Sequence, residues 1–353
     1  MTDERVLGES PARTRANDDA LAPKVSFLQR PSSYREPTET VETVETHFAY
    51  VFLCDRLVYK LKKPVRYGQV DHTTAAARRA SCELEVTLNR RLAGPVYLGV
   101  VPLTVSNGTF ELDGLGEAID WLVKMRRLPR ERTLEAMARR GEAQDAHLRA
   151  LIHKLDRFYR STAVAPWSPA RYRQRLMETA FGTAQQLSRP ELGIDPRAIG
   201  GVYEAQQRFL RDRADILEAR VHSGRVVDAH GDLRPEHVFF DSEPQIIDCL
   251  EFSQELRFLD TAEEMSFLAL ECERLGMSDI GKRLIHFYIE IAGDDIDAQT
   301  LAFYRSLRAM TRALLSAWRT LEEARDGDAA QWAARTDWYV RHAELSLRPR
   351  TGR

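Results

Sequence analysis

The sequence predicts an α+β protein of two lobes, a small β-rich N-terminal one and a large helical C-terminal one. Three observations predict it. The first third carries short runs of period two, everything after Pro129 carries helical periodicity, and one hairpin inside Val226 to Phe252 interrupts those helices. The expected organisation is a mobile lead-in over residues 1–35, an N-lobe over 36–127, and a helical C-lobe over 128–353 that carries a polar loop and hairpin at 228–252.

Taken in order, residues 1 to about 22 are small and polar without periodicity and read as a mobile tail, with Lys24 to Tyr34 a short helix or irregular lead-in. From Val41 the pattern turns strand-like: Phe48 to Leu53 is one run, Cys54-Asp55-Arg56 a tight turn, and Leu57 to Leu61 a second run. Thr73 or Thr74 caps a helix from Ala75 to about Leu92, with Leu84, Leu88 and Leu92 on one stripe, and Gly94-Pro95 ends it. Val96 to Val105, Gly108 to Leu112 and Ala118 to Met125 follow as strands, with turns at Asn107-Gly108 and Asp113-Gly114. Helical periodicity then covers Thr133 to Arg140, Ala143 to Thr162, Pro169 to Leu187 and Pro196 to His222. After the hairpin it resumes over Ala262 to Leu275, Ser278 to Ala292 and Ala298 to Ala324.

Composition removes several classes of function. At 353 residues, 43% apolar and 29% charged, the chain is an ordinary globular protein with room for two lobes. A net charge of -2 argues against nucleic acid or a membrane surface as partner, and no apolar run reaches 18 residues. The first residues are too polar for a signal peptide. Cys54, Cys82, Cys249 and Cys272 lie scattered, without CxxC or CxxH spacing, which argues against a zinc site or a disulfide framework and for the cytoplasm. Lysine is scarce, and Lys60, Lys62 and Lys63 cluster at the end of one apolar run.

The hairpin region carries the chemistry. Its loop holds His230, Asp232, Glu236 and His237. A turn at Asp241-Ser242-Glu243-Pro244 then leads into the run that delivers Asp248 and Glu251. Two carboxylates at strand ends suit phosphoryl transfer, in which one orients a hydroxyl and the other holds magnesium on phosphates. A strand lysine would supply a point charge to those phosphates. Alternation puts Lys60 and Lys62 on one face, with Lys60 preferred because it lies inside the apolar run and Lys62 the second choice. The acid to hold that lysine belongs on the following helix, where Glu85 lies beside the stripe of Leu88 and Leu92, and Glu83 does not.

This order of elements, with His230-Gly231-Asp232-Leu233 and later Ile246-Ile247-Asp248, resembles the aminoglycoside phosphotransferase-like branch of the protein-kinase fold. That branch also includes choline, fructosamine and related small-molecule kinases. The likeness runs over roughly residues 36 to 320 and is nearest to an uncharacterised bacterial group with stretches like ETHFAYVFL, YKLKKPV, LNRRL, YLGVVPL and WLVKMRRLP. Some of that group are fused to a P-loop domain; this chain has no GxxxxGK[ST] and corresponds to the kinase-like part.

The resemblance implies a two-lobed protein-kinase-like fold with an embedded catalytic hairpin, Asp232 as the catalytic base and Asp248 as a magnesium ligand. The position usually held by an Asn ligand for a second magnesium is His237 here, a departure, since magnesium prefers hard oxygen donors. Water or Glu236 substitutes, Glu251 helps hold the ion, or only one metal site forms; His237 itself is a weakened ligand or a loop residue facing solvent. His230 is implied to be structural, and so is Asp260, tying the following helix to the catalytic loop.

Further site residues are weaker readings. Thr46 and His47, in the link between the first strands, are placed to cap phosphates with backbone amides and the Thr hydroxyl. Val123 and Met125, in the strand entering the interlobe hinge, are placed to meet adenine through backbone groups and the Met125 side chain. Glu263, Glu264, Glu271 and Glu273 form either an acidic pocket for a cationic acceptor or a solvated helix face. Arg305, Arg308 and Arg312, at i, i+3, i+7, bind an anionic acceptor or partner those acids. The expected function is an ATP- and magnesium-dependent phosphotransferase acting on the hydroxyl of a small molecule of sugar, aminoglycoside or amino-alcohol type. The alternative is a pseudokinase or nucleotide-binding module without turnover.

Overall fold

The computed structural model describes residues 15–67, 70–322 and 328–348. Contacts divide the chain into two compact units, one of residues 11–133 with 237–253, the other chiefly of 134–236 with 254–353. The expected cut near residue 127 is close to the first crossing, but the hairpin groups with the sheet rather than with the helices.

The sheet unit opens with α1 (Arg15–Leu28), so a helix begins inside the stretch read as a mobile tail; residues 1–14 of that tail lie outside the described residues. The strands are β1 (Glu42–Glu45), β2 (Ala49–Leu53), β3 (Leu57–Lys62), a small pair β4 (Arg66–Tyr67) and β5 (Val70–Asp71), then, after α2 (Ala75–Ala93), β6 (Tyr97–Ser106), β7 (Thr109–Leu112) and β8 (Glu117–Arg126). Six of them make one antiparallel sheet in the order β1-β2-β3-β8-β6-β7. The period of two sorts β3 between two cores. Leu57, Tyr59 and Leu61 pack with Leu21 and Leu28 of α1, while Val58 packs with Cys82 and Val86 of α2, so Lys60 and Lys62 continue the face that α2 covers. Thr74 caps α2 by accepting from the Ala77 amide. Leu84 is exposed rather than part of the buried stripe; Cys82, Glu85, Val86 and Asn89 face inward instead.

The helical unit runs through α3 (Leu134–Arg139), α4 (Asp145–Ser161), α5 (Pro169–Leu187), α6 (Pro196–Asp212) and α7 (Ala214–His222) to β9 (Val226–Asp228). The periodic run from Pro196 to His222 is thus two helices, broken at Arg213. The hairpin strands β10 (Val238–Phe240) and β11 (Pro244–Ile246) belong to the sheet unit. After them come α8 (Gln254–Arg257), β12 (Phe258–Asp260), α9 (Thr261–Arg274), α10 (Ser278–Ala292), α11 (Ala298–Glu322) and α12 (Ala329–Leu347). The apolar run before the loop pairs with β12, not with the hairpin: Asp228 faces Phe258 and Val226 faces Asp260. A further core joins α5, α6, α9, α11 and α12 through Leu187, Val202, Leu270, Met310 and Tyr339. Among the described residues no helix is long and apolar enough to cross a membrane.

Candidate active site

In the sheet unit five side chains form a line of alternating charge. Lys60 Nζ lies 2.9 Å from Asp248 Oδ1 and 2.9 Å from Glu85 Oε1; Lys62 Nζ lies 2.7 Å from Glu85 Oε2 and 2.6 Å from Glu251 Oε1. Strand alternation carries both ammonium groups to one helix residue, and Glu85 divides its two oxygens between them. The line is dry at its centre and wet at one end. The side chains of Lys62 and Glu85 are 2% and 1% exposed, whereas that of Asp248 is 45% exposed.

Burial works against the charged form of Lys60, but Asp248 and Glu85 more than reverse it and hold the ammonium well above its ordinary range. Burial likewise opposes ionisation of Glu251, and Lys62 and Lys60 overcome it, keeping that carboxyl below its ordinary range. The charges of Lys60, Lys62 and Glu251 are therefore each sustained by their neighbours.

The turn bearing Asp248 is clamped in place. Its backbone lies in the left-handed region at φ 62°, an unusual conformation for a residue with a side chain. The Asp248 amide donates to Tyr97 Oη at 3.2 Å, the Cys249 amide to Asn89 Oδ1 at 2.8 Å, and the Ile247 amide to the His237 carbonyl at 3.0 Å. Asn89 is four residues from Glu85, so one helix face positions both Lys60 and the Asp248 turn. That spacing was readable in the sequence; the role of Tyr97 was not.

His237 does not face solvent. It is buried, with Nε2 3.6 Å from Asp248 Oδ2. Glu251 is engaged by Lys62. No group of three or more His, Cys, Asp or Glu suited to a metal occurs among the described residues. The donor set therefore fits one magnesium ion held through the exposed Asp248 carboxylate, since this ion keeps several waters and takes phosphate oxygens for the rest. It does not fit a second ion at His237, whose imidazole is a soft donor beside an acid.

Two other expectations are corrected. The Thr46 amide donates to the Ala49 carbonyl at 2.8 Å, and its hydroxyl donates to the same carbonyl at 3.0 Å, so both Thr46 donors proposed for phosphates are spent within their own turn. The turn's nearby cation is Lys63, whose ammonium reaches the Thr46 carbonyl and Glu45. Val123 and Met125 lie in an interior strand. Val123 faces Lys60 on β3 and Val100 on β6, and Met125 faces Val58 and Tyr97, so their backbones belong to the ladder rather than to a ligand. The chain leaves that ladder only at Leu128, which packs against the core that holds Val58 and Met125.

In the helical unit, Asp232 sits on a loop that the buried acids of α9 hold. Glu264 Oε1 accepts from the Gly231 amide at 2.7 Å, and its Oε2 from the His230 amide at 3.3 Å and the Tyr159 hydroxyl at 2.7 Å. Gly231 takes φ 90°, open to glycine at little cost. His230 is fully buried and its Nδ1 accepts the Asp232 amide at 3.3 Å. The strand leading into the loop is pinned by Arg257 Nε, 2.8 Å from Asp228 Oδ1.

Glu263, Glu264 and Glu271 are thus neither a solvated face nor an open acidic pocket. Their spacing with Asp260, at i, i+3, i+4 and i+11, marks one helix face and was a signal of shared burial. Asp260 caps α9 through the Ala262 amide and binds Arg220 of α7, rather than the loop itself. Arg305 pairs with Glu273, Arg308 approaches Glu263 at 3.7 Å and donates to the Gly231 carbonyl at 2.8 Å, and Arg312 lies 3.9 Å from Asp232 Oδ1. Arg234 Nε, two residues after the acid, lies 3.1 Å from Asp232 Oδ2.

No family model matches the chain. Uncharacterised proteins of Mycobacterium tuberculosis and Mycobacterium bovis are 30% identical to it over 321 residues, which is 87% of this chain and 61% of theirs; the chain spans about 61% of the length of the curated relatives it matches. Among solved structures, a choline/ethanolamine kinase family protein from Mesorhizobium loti superposes with a TM-score of 0.52 at 16% identity, covering 94% of this chain and 95% of the other. A thermostable mutant of an aminoglycoside phosphotransferase, in its apo form, gives 0.50 at 14% identity, with 90% and 98% covered. The chain has the protein-kinase-like fold of the aminoglycoside phosphotransferases and choline/ethanolamine kinases, with an antiparallel-sheet unit and a helical unit.

Proposed function

We propose that the chain is a kinase that moves the γ-phosphoryl group of ATP, with magnesium, to a hydroxyl group of a small molecule. The observation that carries this reading is the line Asp248–Lys60–Glu85–Lys62–Glu251, because a dry, self-supporting row of charges ending in an exposed carboxylate is a costly thing to build for stability alone. The fold and the loop bearing Asp232 support it.

In this reading Lys60, held by Glu85, supplies a fixed positive charge to the nucleotide phosphates. Lys62, itself held by Glu251, keeps Glu85 in place. Asp248 would hold the magnesium ion, which supplies positive charge to the transferring group. Asp232 orients the acceptor hydroxyl and takes its proton, on a loop kept rigid by Glu264. Positioning and charge neutralisation provide most of the rate, since little covalent chemistry falls to the protein.

The test is a coupled assay of ADP release over sugars, sugar acids, sugar phosphates, amino-alcohols and aminoglycosides, with mass spectrometry of products. Acceptor-dependent turnover that disappears in Asp232→Asn supports the reading. Full activity in that variant sinks it.

One observation favours a second reading, a nucleotide-binding module without turnover: His237 is buried against Asp248 where a second metal ligand would be needed. A thermal shift with ATP and magnesium, together with no product on any acceptor, would select it.

A further inference from the structure

The loop bearing Asp232 adjoins a group of arginines that the helical unit does not saturate. Arg312 of α11 reaches Asp232 Oδ1 at 3.9 Å and also lies against Glu271 and the Tyr339 hydroxyl. Arg308, one turn earlier, donates to the Gly231 carbonyl of the same loop and stacks over Phe267 at 4.4 Å, the ring that Arg312 also approaches at 5.9 Å. Arg335 of α12 meets the group from the other side, 3.4 Å from Tyr339 Oη and 3.7 Å from Glu271 Oε2. The Nε atoms of all three are buried without a hydrogen-bond partner among the described residues.

A guanidinium is all donors, and stacking on an aromatic face satisfies none of its N–H groups. The carboxylates within reach are already shared. Glu271 also takes Arg274 at 2.9 Å, Asp232 also takes Arg234, and Glu263 stands off from Arg308 at 3.7 Å. What the cluster lacks is acceptor oxygens carrying negative charge. A cationic acceptor placed there would face three guanidinium groups, with only Asp232 and one oxygen of Glu263 left to offset them.

We propose that the acceptor is an anionic alcohol, whose carboxylate or phosphate is held by Arg312 and Arg308, with Arg335 behind them, so that its hydroxyl is presented to Asp232. The proposal rests on the kinase reading and narrows its substrate class away from aminoglycosides and amino-alcohols.

The test uses matched acceptors: glycerate against glycerol, glucuronate and glucose 6-phosphate against glucose, and ethanolamine and kanamycin as cations. At least one anionic member should exceed its neutral counterpart about tenfold or more in kcat/KM. Arg312→Gln should raise KM for that anion roughly 10- to 100-fold while the thermal shift with ATP and magnesium persists, and Arg312→Lys should recover part of the loss. Arg308→Gln serves as the second variant, and calorimetric binding of the anion gives a readout without turnover. The two source chemistries separate by which anion responds. Turnover of neutral or cationic acceptors alone, or an unchanged KM in both variants, overturns the proposal and leaves the kinase reading standing. Turnover of no acceptor, with ATP binding intact, removes both.

Discussion

The two units use buried charge in opposite ways. In the helical unit, Arg220 is closed. It donates to both oxygens of Asp260 at 2.7 and 2.6 Å and to both oxygens of Asp294, all three side chains being buried, and Tyr304 and Tyr288 add hydroxyls to the same two acids. In the sheet unit, the line from Glu251 to Asp248 is open, with Lys62 and Glu85 buried at its centre and its last carboxylate exposed. A saturated group has no capacity left for a ligand, so it can only hold structure. An open one keeps a charge that something else must complete. By the same measure the Arg308–Arg312–Arg335 cluster belongs with the open line, although it lies in the helical unit.

That contrast predicts where losses appear. The largest concern turnover. Asp232→Asn should lower it about 10²–10⁴-fold while nucleotide binding survives, and Asp248→Asn should also lose magnesium-dependent affinity for ATP, both with melting temperatures near that of the unaltered protein. Calorimetry and steady-state kinetics on the same preparations check this; a large drop in melting temperature in either variant would break the contrast. Next in size, Arg220→Ala should cost on the order of 3–5 kcal/mol of stability, because it strands two buried carboxylates, with kinetic constants of the folded fraction unchanged. Urea melts measure that cost.

Smaller but sharper is a split within the line itself. Lys62→Met removes a closed member and should appear chiefly in the urea midpoint. Lys60→Met, nearer the exposed end, should appear chiefly in KM for ATP. Equal effects of the two on both measurements would dissolve the distinction between open and closed groups.

The smallest expected effect depends on pH. Burial, with Lys62 and Arg78 nearby, pushes His72 down to about 4 from an ordinary 6.5. Between those values the unfolded chain binds a proton that the folded sheet unit refuses, so stability falls as pH drops from about 6.5 toward 4 and is fully present above that window. Stability measured across it should fall less steeply in His72→Asn than in the unaltered protein.

Much of this was legible in the residues. Strand alternation put Lys60 and Lys62 on one face, helix spacing put Glu85 on the inward side of α2, and the loop and hairpin pattern singled out Asp232 and Asp248. Leu84 misled because a leucine on the edge of a stripe reads like one in its middle. Thr46, Val123 and Met125 misled for a common reason. A sequence shows which donors and acceptors a segment owns, but not whether neighbouring strands have already used them. Glu264 was hidden inside a run of acids that, taken singly, looks like a solvated helix face.

The sequence by itself determined most of the element order, the division into a β-rich and a helical part, and which acids and lysines are candidates for phosphoryl transfer. Period and spacing act over a few residues, and those decisions need no more than that. Tertiary structure alone decided that the hairpin joins the sheet, that His237 is buried against Asp248, that Glu264 holds the loop, and which charges are saturated. Each of those depends on partners far away along the chain, such as Tyr97 for Asp248 and Arg312 for Asp232. Whether a charge is open or closed is a count of neighbours in space, and no local pattern contains it.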